Sequence, residues 1–135
     1  MLINKQDITT LILAGGKSTR MGGNDKGLMM INGEYIIKKL ILLAKEYSNS
    51  VIININRNYD VYKKLDCKLT TDLHNNFQGP LAGIYSGMIS AKSKFILVLP
   101  CDCPMITDSF FKIMLKSDFQ NNIRCAHDGI RLQPT

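Results

Sequence analysis

Residues 11–26, LILAGGKSTRMGGNDK, decide how the rest of the chain is read. An apolar run passes directly into a loop holding Gly15, Gly16, Gly22 and Gly23, with Lys17, Arg20 and Lys26 in or beside those glycines. Glycines let backbone N–H groups approach an anion with no side chain in the way. Lysine and arginine add the charge that a polyphosphate needs. The stretch therefore reads as a strand followed by a phosphate-binding loop. It is not a Walker A loop, because no glycine here is followed by Lys-Ser or Lys-Thr at the required spacing. It is not the dinucleotide fingerprint either, because Gly15 and Gly16 are adjacent.

Around this loop the pattern alternates between strands and helices. Residues 8–13 and 95–99 are continuous apolar runs, as expected in a parallel sheet covered on both faces. Residues 51–55 and 68–70 give two further strands. Residues 28–31 end at an Asn32-Gly33 turn. Helical spacing over residues 34–47 places Ile36, Ile37, Leu40, Ile41, Ala44 and Tyr47 on one face. Short helices are expected over 59–65, from Pro80 to about Ala91, and from a Thr107 cap to about Lys116, with Asp108 in the first turn. Asp128-Gly129 marks a terminal hairpin. The pattern predicts one α/β domain over residues 1–135, a three-layer α/β/α Rossmann-like fold with a mostly parallel sheet. A doubly wound sheet usually continues beyond such a point, so the domain is expected to be C-terminally incomplete.

The chain has 135 residues and carries 17 Lys and Arg against 11 acidic residues, a net charge of +6. That excess suits anionic ligands. No arginine-rich or aromatic-interleaved stretch points to nucleic acid, and no segment approaches a signal peptide or membrane span. A cytoplasmic protein is expected. Cys67, Cys101, Cys103 and Cys125 fit no zinc spacing, and buried reduced thiols are the favoured reading. His74 and His127 stand alone and read as loop or surface residues.

In open parallel sheets ligands bind beyond the carboxyl ends of the strands. There the sequence places the glycine loop, Asn54-Ile55-Asn56-Arg57, Asp72, and Asp102 between Pro100 and Pro104. Asp102 suits a hard cation such as Mg²⁺, which takes one or two carboxylates with phosphate oxygens and water. Capping is the lesser reading, because Thr107 is the better-placed cap. Asn54 and Asp72, taken alone, read as turn and loop residues. Gly79 and Gly83 flank a helix start whose N–H groups are unpaired.

The first run resembles the signature L-A-G-G-x-S-x-R-M-G-x-D-K of nucleotidyltransferases that activate sugars and cofactors. Within them it is most similar to the molybdenum cofactor guanylyltransferase family. Asp25-Lys26 is displaced by one residue, because Gly23 and Asn24 both precede it. LPCDCP, VIININR, LTTD and GPLAGI match further family segments. The resemblance implies backbone contacts to nucleotide from Leu13, Ala14, Gly15 and Gly16, and a nucleotide-binding Lys26. It implies nucleotide contacts from Asn54 and Asp72, a base pocket lined by Gly79 and Gly83, and Asp102 as metal ligand and nucleotide contact. Arg20, Lys26 and Asp102 are the expected catalytic groups. The implied reaction transfers GMP from GTP to the phosphate of molybdopterin, with release of pyrophosphate and Mg²⁺ as cofactor. Other molybdenum cofactor assembly proteins are a further class of expected partner. The alternatives are a related transferase using CTP or a sugar-phosphate acceptor, and a non-catalytic nucleotide-binding module. The family's later part carries an arginine and an N-x-N motif for the pterin and the metal, and that part lies outside residues 1–135.

Overall fold

The computed structural model describes residues 1–16, 24–73, 79–118 and 123–133. Four parallel strands form the central sheet: β1 (Ile8–Leu13), β4 (Ser50–Asn54), β5 (Lys68–Thr70) and β6 (Phe95–Pro100). They lie in the order β5-β4-β1-β6. The chain thus steps outward from β1 to β5 and then crosses back to the other side of β1. The direction of winding reverses between β1 and β6, and a crevice opens at such a switch point.

Side-chain alternation along the strands sends one set of residues to each face. On one face Ile8, Ile12, Val51, Ile53, Leu97 and Leu99 form a core with α1 (Ile36–Tyr47) and α4 (Asp108–Met114). Helix α1 buries Ile37, Leu40, Ile41 and Ala44, the i, i+3, i+4, i+7 stripe read from the sequence. Tyr47 stacks on Phe111 at 5.0 Å between ring centroids, which joins α1 to α4. The short α2 (Tyr59–Tyr62) adds the fully buried Tyr62 to the same core. On the other face α3 (Pro80–Ser90) lies against the sheet through Ala82, Gly83, Ser86 and Gly87. A Cβ on Gly83 would come within 2.5 Å of Asn54 Oδ1, so only a glycine permits this close helix–sheet approach. Helices therefore cover both faces of a parallel sheet, as the alternating pattern predicts.

Three local expectations need correction. The helix expected from residue 34 begins at Ile36, because Glu34 and Tyr35 form β3 and pair with β2 (Met30–Ile31) across the Asn32-Gly33 turn. Thr107 stands at the start of α4 but its side chain makes no capping bond. Instead Asp108 accepts from Tyr47 Oη and pairs with Lys112 at 2.5 Å, one turn on. The reading of all four cysteines as buried also fails, since Cys101 is buried, Cys67 and Cys103 are half-buried and Cys125 is exposed; all four are free thiols. The terminal hairpin pairs β7 (Ala126–His127) with β8 (Leu132–Gln133) around Asp128-Gly129.

Candidate nucleotide site at the carboxyl edge

Strand register builds the site. Leu13 is paired with Asn54 on one side and with Pro100 on the other, and Asn54 is paired with Thr70. These four residues define one line across the sheet. Two residues beyond that line stand Gly15, Asn56, Asp102 and Asp72. Four chain segments far apart in sequence thus deliver a bare backbone, an amide and two carboxylates to one edge. Gly15 and Asp102 flank the switch point between β1 and β6.

Hydrogen bonds lock half of this row. Asp72 Oδ2 accepts from Asn56 Nδ2 at 2.9 Å, and Asp72 Oδ1 accepts from Asn54 Nδ2 at 3.0 Å. Asn56 Nδ2 also donates to the Gly15 carbonyl at 2.9 Å, and Asn56 Oδ1 accepts from the Asp72 backbone N–H at 3.1 Å. A Cβ on Gly15 would sit 2.6 Å from both Asn54 Oδ1 and Asn56 Nδ2. Asn54 is only 2% exposed. Its carboxamide fits between Gly15 and Gly83 and holds the Asp72 carboxylate from below.

The other half is electrostatic. Lys26 Nζ lies 3.2 Å from Asp102 Oδ2, and both side chains are about two-fifths exposed. Lys26 opens a 3₁₀ turn, Lys26–Leu28, whose cap is Asp25. Asp102 follows the buried Cys101, whose backbone N–H donates to the Leu13 carbonyl at 3.1 Å. Burial first, and the Asp102 charge second, push the Cys101 thiol up to about 12. It is a neutral, unreactive neighbour of the site at ordinary pH.

Helix α3 aims at the same edge. Gly87 faces Leu11 and Gly83 faces Leu13 and Asn54, so the helix start lies beyond the strand ends. Gly79 precedes it with φ 96° and Pro80 takes the first helical position. The first turn of a helix carries N–H groups with no partner inside the helix, and such a terminus suits an anion or a base carbonyl.

Leu13, Ala14, Gly15, Gly16, Lys26, Asn54, Asp72, Gly79, Gly83 and Asp102 therefore all belong to the carboxyl edge. Arg20, with Lys17, Gly22, Gly23 and His74, lies outside the described residues. The sequence places Asn56 only within the strand-end segment and gives it no role, although its two-residue spacing from Asn54 in an extended strand end places both on one side. Asp25 and Arg57 are named only within their segments and Asn58 and Tyr62 not at all, yet these four bond around the Lys26 turn. Among the described residues no group of three or more His, Cys, Asp or Glu is arranged to hold a metal ion. No helix there is long and apolar enough to cross a membrane. An open cleft of about 640 Å³ lies at the opposite, amino edge, lined by Lys5, Lys45, Lys63 and Lys68 among others. Its volume does not make it the site. Lys45 is already paired with Asp66, Lys63 with Asp60, and Lys68 donates to the Ser90 carbonyl.

A profile of the MobA-like NTP transferase domain matches residues 10–135. The chain belongs to the MobA-like NTP transferase family. It is 40% identical over 129 residues to a molybdenum cofactor guanylyltransferase of Shewanella baltica (strain OS185), covering 94% of this chain and 66% of that protein. A protein of the same name from Yersinia pestis (strain Pestoides F) is 36% identical over 129 residues, covering 96% of this chain and 66% of the relative. The MobA-like domain here thus spans just under two thirds of the length of these relatives. A solved structure of a protein from Aquifex aeolicus VF5 superposes with a TM-score of 0.66 at 27% identity, over 87% of this chain and 61% of that one.

Proposed function

We propose that this chain supplies the nucleotide-binding half of a guanylyl transfer from GTP to the phosphate of molybdopterin or the molybdenum cofactor, with release of pyrophosphate. The observation that carries the reading is the row of Gly15, Asn56, Asp72 and Asp102 along one sheet edge, at the point where strand order reverses. The names of the relatives supply the guanylyl donor and the cofactor acceptor.

In this reading the triphosphate lies against the Gly15-Gly16 backbone, and the base sits by the Gly79 and Gly83 helix start. Asp72, held by Asn54 and Asn56, is oriented to accept hydrogen bonds from the nucleoside. An oxygen of the acceptor phosphate forms a bond to the α-phosphorus of GTP. The bond from that phosphorus to the bridging oxygen breaks, and pyrophosphate leaves with the electron pair. A phosphate nucleophile is already ionised, so the protein's work is alignment and charge neutralisation. Lys26 and Arg20 neutralise charge on the departing pyrophosphate.

Asp102 is the residue that would hold Mg²⁺. Its carboxylate is accessible, and Lys26 engages only one oxygen of it among the described residues. A single protein carboxylate is the donor set expected where phosphate oxygens and water complete the shell. The ion would supply positive charge to the phosphate oxygens.

Calorimetry with GTP and CTP in Mg²⁺, followed by a pyrophosphate-release assay with molybdopterin, tests this function. Selective GTP binding and acceptor-dependent pyrophosphate support it. Preference for CTP would favour the cytidylyl relative, and tight GTP binding with no transfer would favour a binding module.

A further inference from the structure

We infer that Tyr62, acting through Asp25, is a positioning residue for Lys26. The inference rests on the reading of Lys26 as a nucleotide contact. Asp25 immediately precedes Lys26, and its side chain is only 6% exposed. A carboxylate so enclosed needs every oxygen satisfied. Oδ1 accepts from Tyr62 Oη at 2.7 Å and from the Gly27 N–H at 3.2 Å. Oδ2 accepts from Asn58 Nδ2 at 3.0 Å and faces Arg57 Nε at 3.9 Å. Arg57 Nη2 also donates to the Asn24 carbonyl at 3.1 Å.

The side-chain hydrogen bonds that Asn24 and Asp25 accept come from one segment, residues 57–62. Tyr62 is the rigid member of that anchor. It is fully buried in the main core, whereas Asn58 is exposed. Burial first, then the Asp25 hydrogen bond, push its hydroxyl far above the ordinary tyrosine range, so it stays a donor. The fit is close: a Cβ on Gly27 would lie 2.6 Å from Tyr62 Oη. Hydroxyl, carboxylate and bare glycine thus set the height of the turn, and with it the reach of Lys26 toward Asp102.

Lys26→Ala and Tyr62→Phe, singly and together, test this by GTP calorimetry under conditions where circular dichroism shows each variant folded. Tyr62→Phe keeps the ring and loses only the hydroxyl. It should weaken GTP binding about tenfold, the scale of one charge-assisted hydrogen bond, and should cost nothing further once Lys26 is alanine. An unchanged affinity in Tyr62→Phe, or losses that simply add in the double variant, would overturn the inference while leaving the nucleotide site standing. Absence of GTP binding by the unaltered chain would overturn the site and the inference together. Gly27→Ala gives a second route. Its added methyl should weaken GTP binding more than Tyr62→Phe does alone, and adding Tyr62→Phe, which removes the atom it meets, should bring binding back to the Tyr62→Phe level. Failure of that rescue in folded protein would also count against the inference.

Discussion

Lys26 Nζ and Asp102 Oδ2 meet at 3.2 Å across the crevice between β1 and β6, although 76 residues separate them in the chain. Each is accessible, so the pair itself is worth little to stability. Its value is that it sets a cation and a carboxylate side by side where phosphates and a divalent ion would compete for them. On the proposed function, binding of Mg·GTP would exchange this contact for two others, Lys26 to phosphate and Asp102 to the ion.

Lys26→Ala is expected to weaken GTP binding by about 1.5–3 kcal/mol, the range of a hydrogen bond to a charged group. Thermal stability should change little. A calorimetric titration with unchanged affinity would remove Lys26 from the site.

Asp102→Ala is expected to uncouple GTP binding from Mg²⁺. The unaltered chain should bind GTP more tightly in Mg²⁺ than in EDTA, and the variant should not distinguish the two. A variant that keeps the full Mg²⁺ effect would move the ion elsewhere.

Gly83→Ala should destabilise the fold by about 1–3 kcal/mol, the usual cost of overpacking, because the new methyl meets Asn54 Oδ1 at 2.5 Å. Denaturant unfolding measures this. Asn54→Ala in the same protein should recover part of the loss, and strict additivity of the two changes would argue against the contact.

Cys101 gives a pH prediction. Its thiol is raised in the folded state from 9 to about 12, so the unfolded chain loses that proton first as pH rises. The contribution to stability is whole below about pH 9 and is lost as pH climbs toward 12. Cys101→Ala should therefore flatten the fall in melting temperature between those limits. An equal fall in both proteins would mean that Cys101 titrates normally.

The sequence carries the sheet and its edge because those depend on local pattern. The apolar runs of β1 and β6, the helical stripe of α1 and the Asn32-Gly33 turn each satisfy a short-range rule. The place of Asp102 beyond β6 was legible because the apolar run ends at Pro100, two residues before it. What local pattern cannot carry is the partner of a buried polar group. Tyr62 lies in a short helix whose sequence names no partner for it, yet its hydroxyl finds Asp25, 37 positions earlier. Asn54, taken alone, reads as a turn residue, yet it is buried and supports Asp72. Helix α4 shows the same limit, since Thr107 has the right residue type for a cap while Tyr47 and Lys112 claim Asp108 instead.

The central claim is a location, and amide NMR shifts during an Mg·GTP titration test it most directly. The account predicts saturable shifts at Gly15, Gly16, Lys26, Asp72, Gly79 and Asp102, along the carboxyl edge. Shifts gathered instead around Lys5, Lys45 and Lys68 at the amino edge, or none at all, would contradict it.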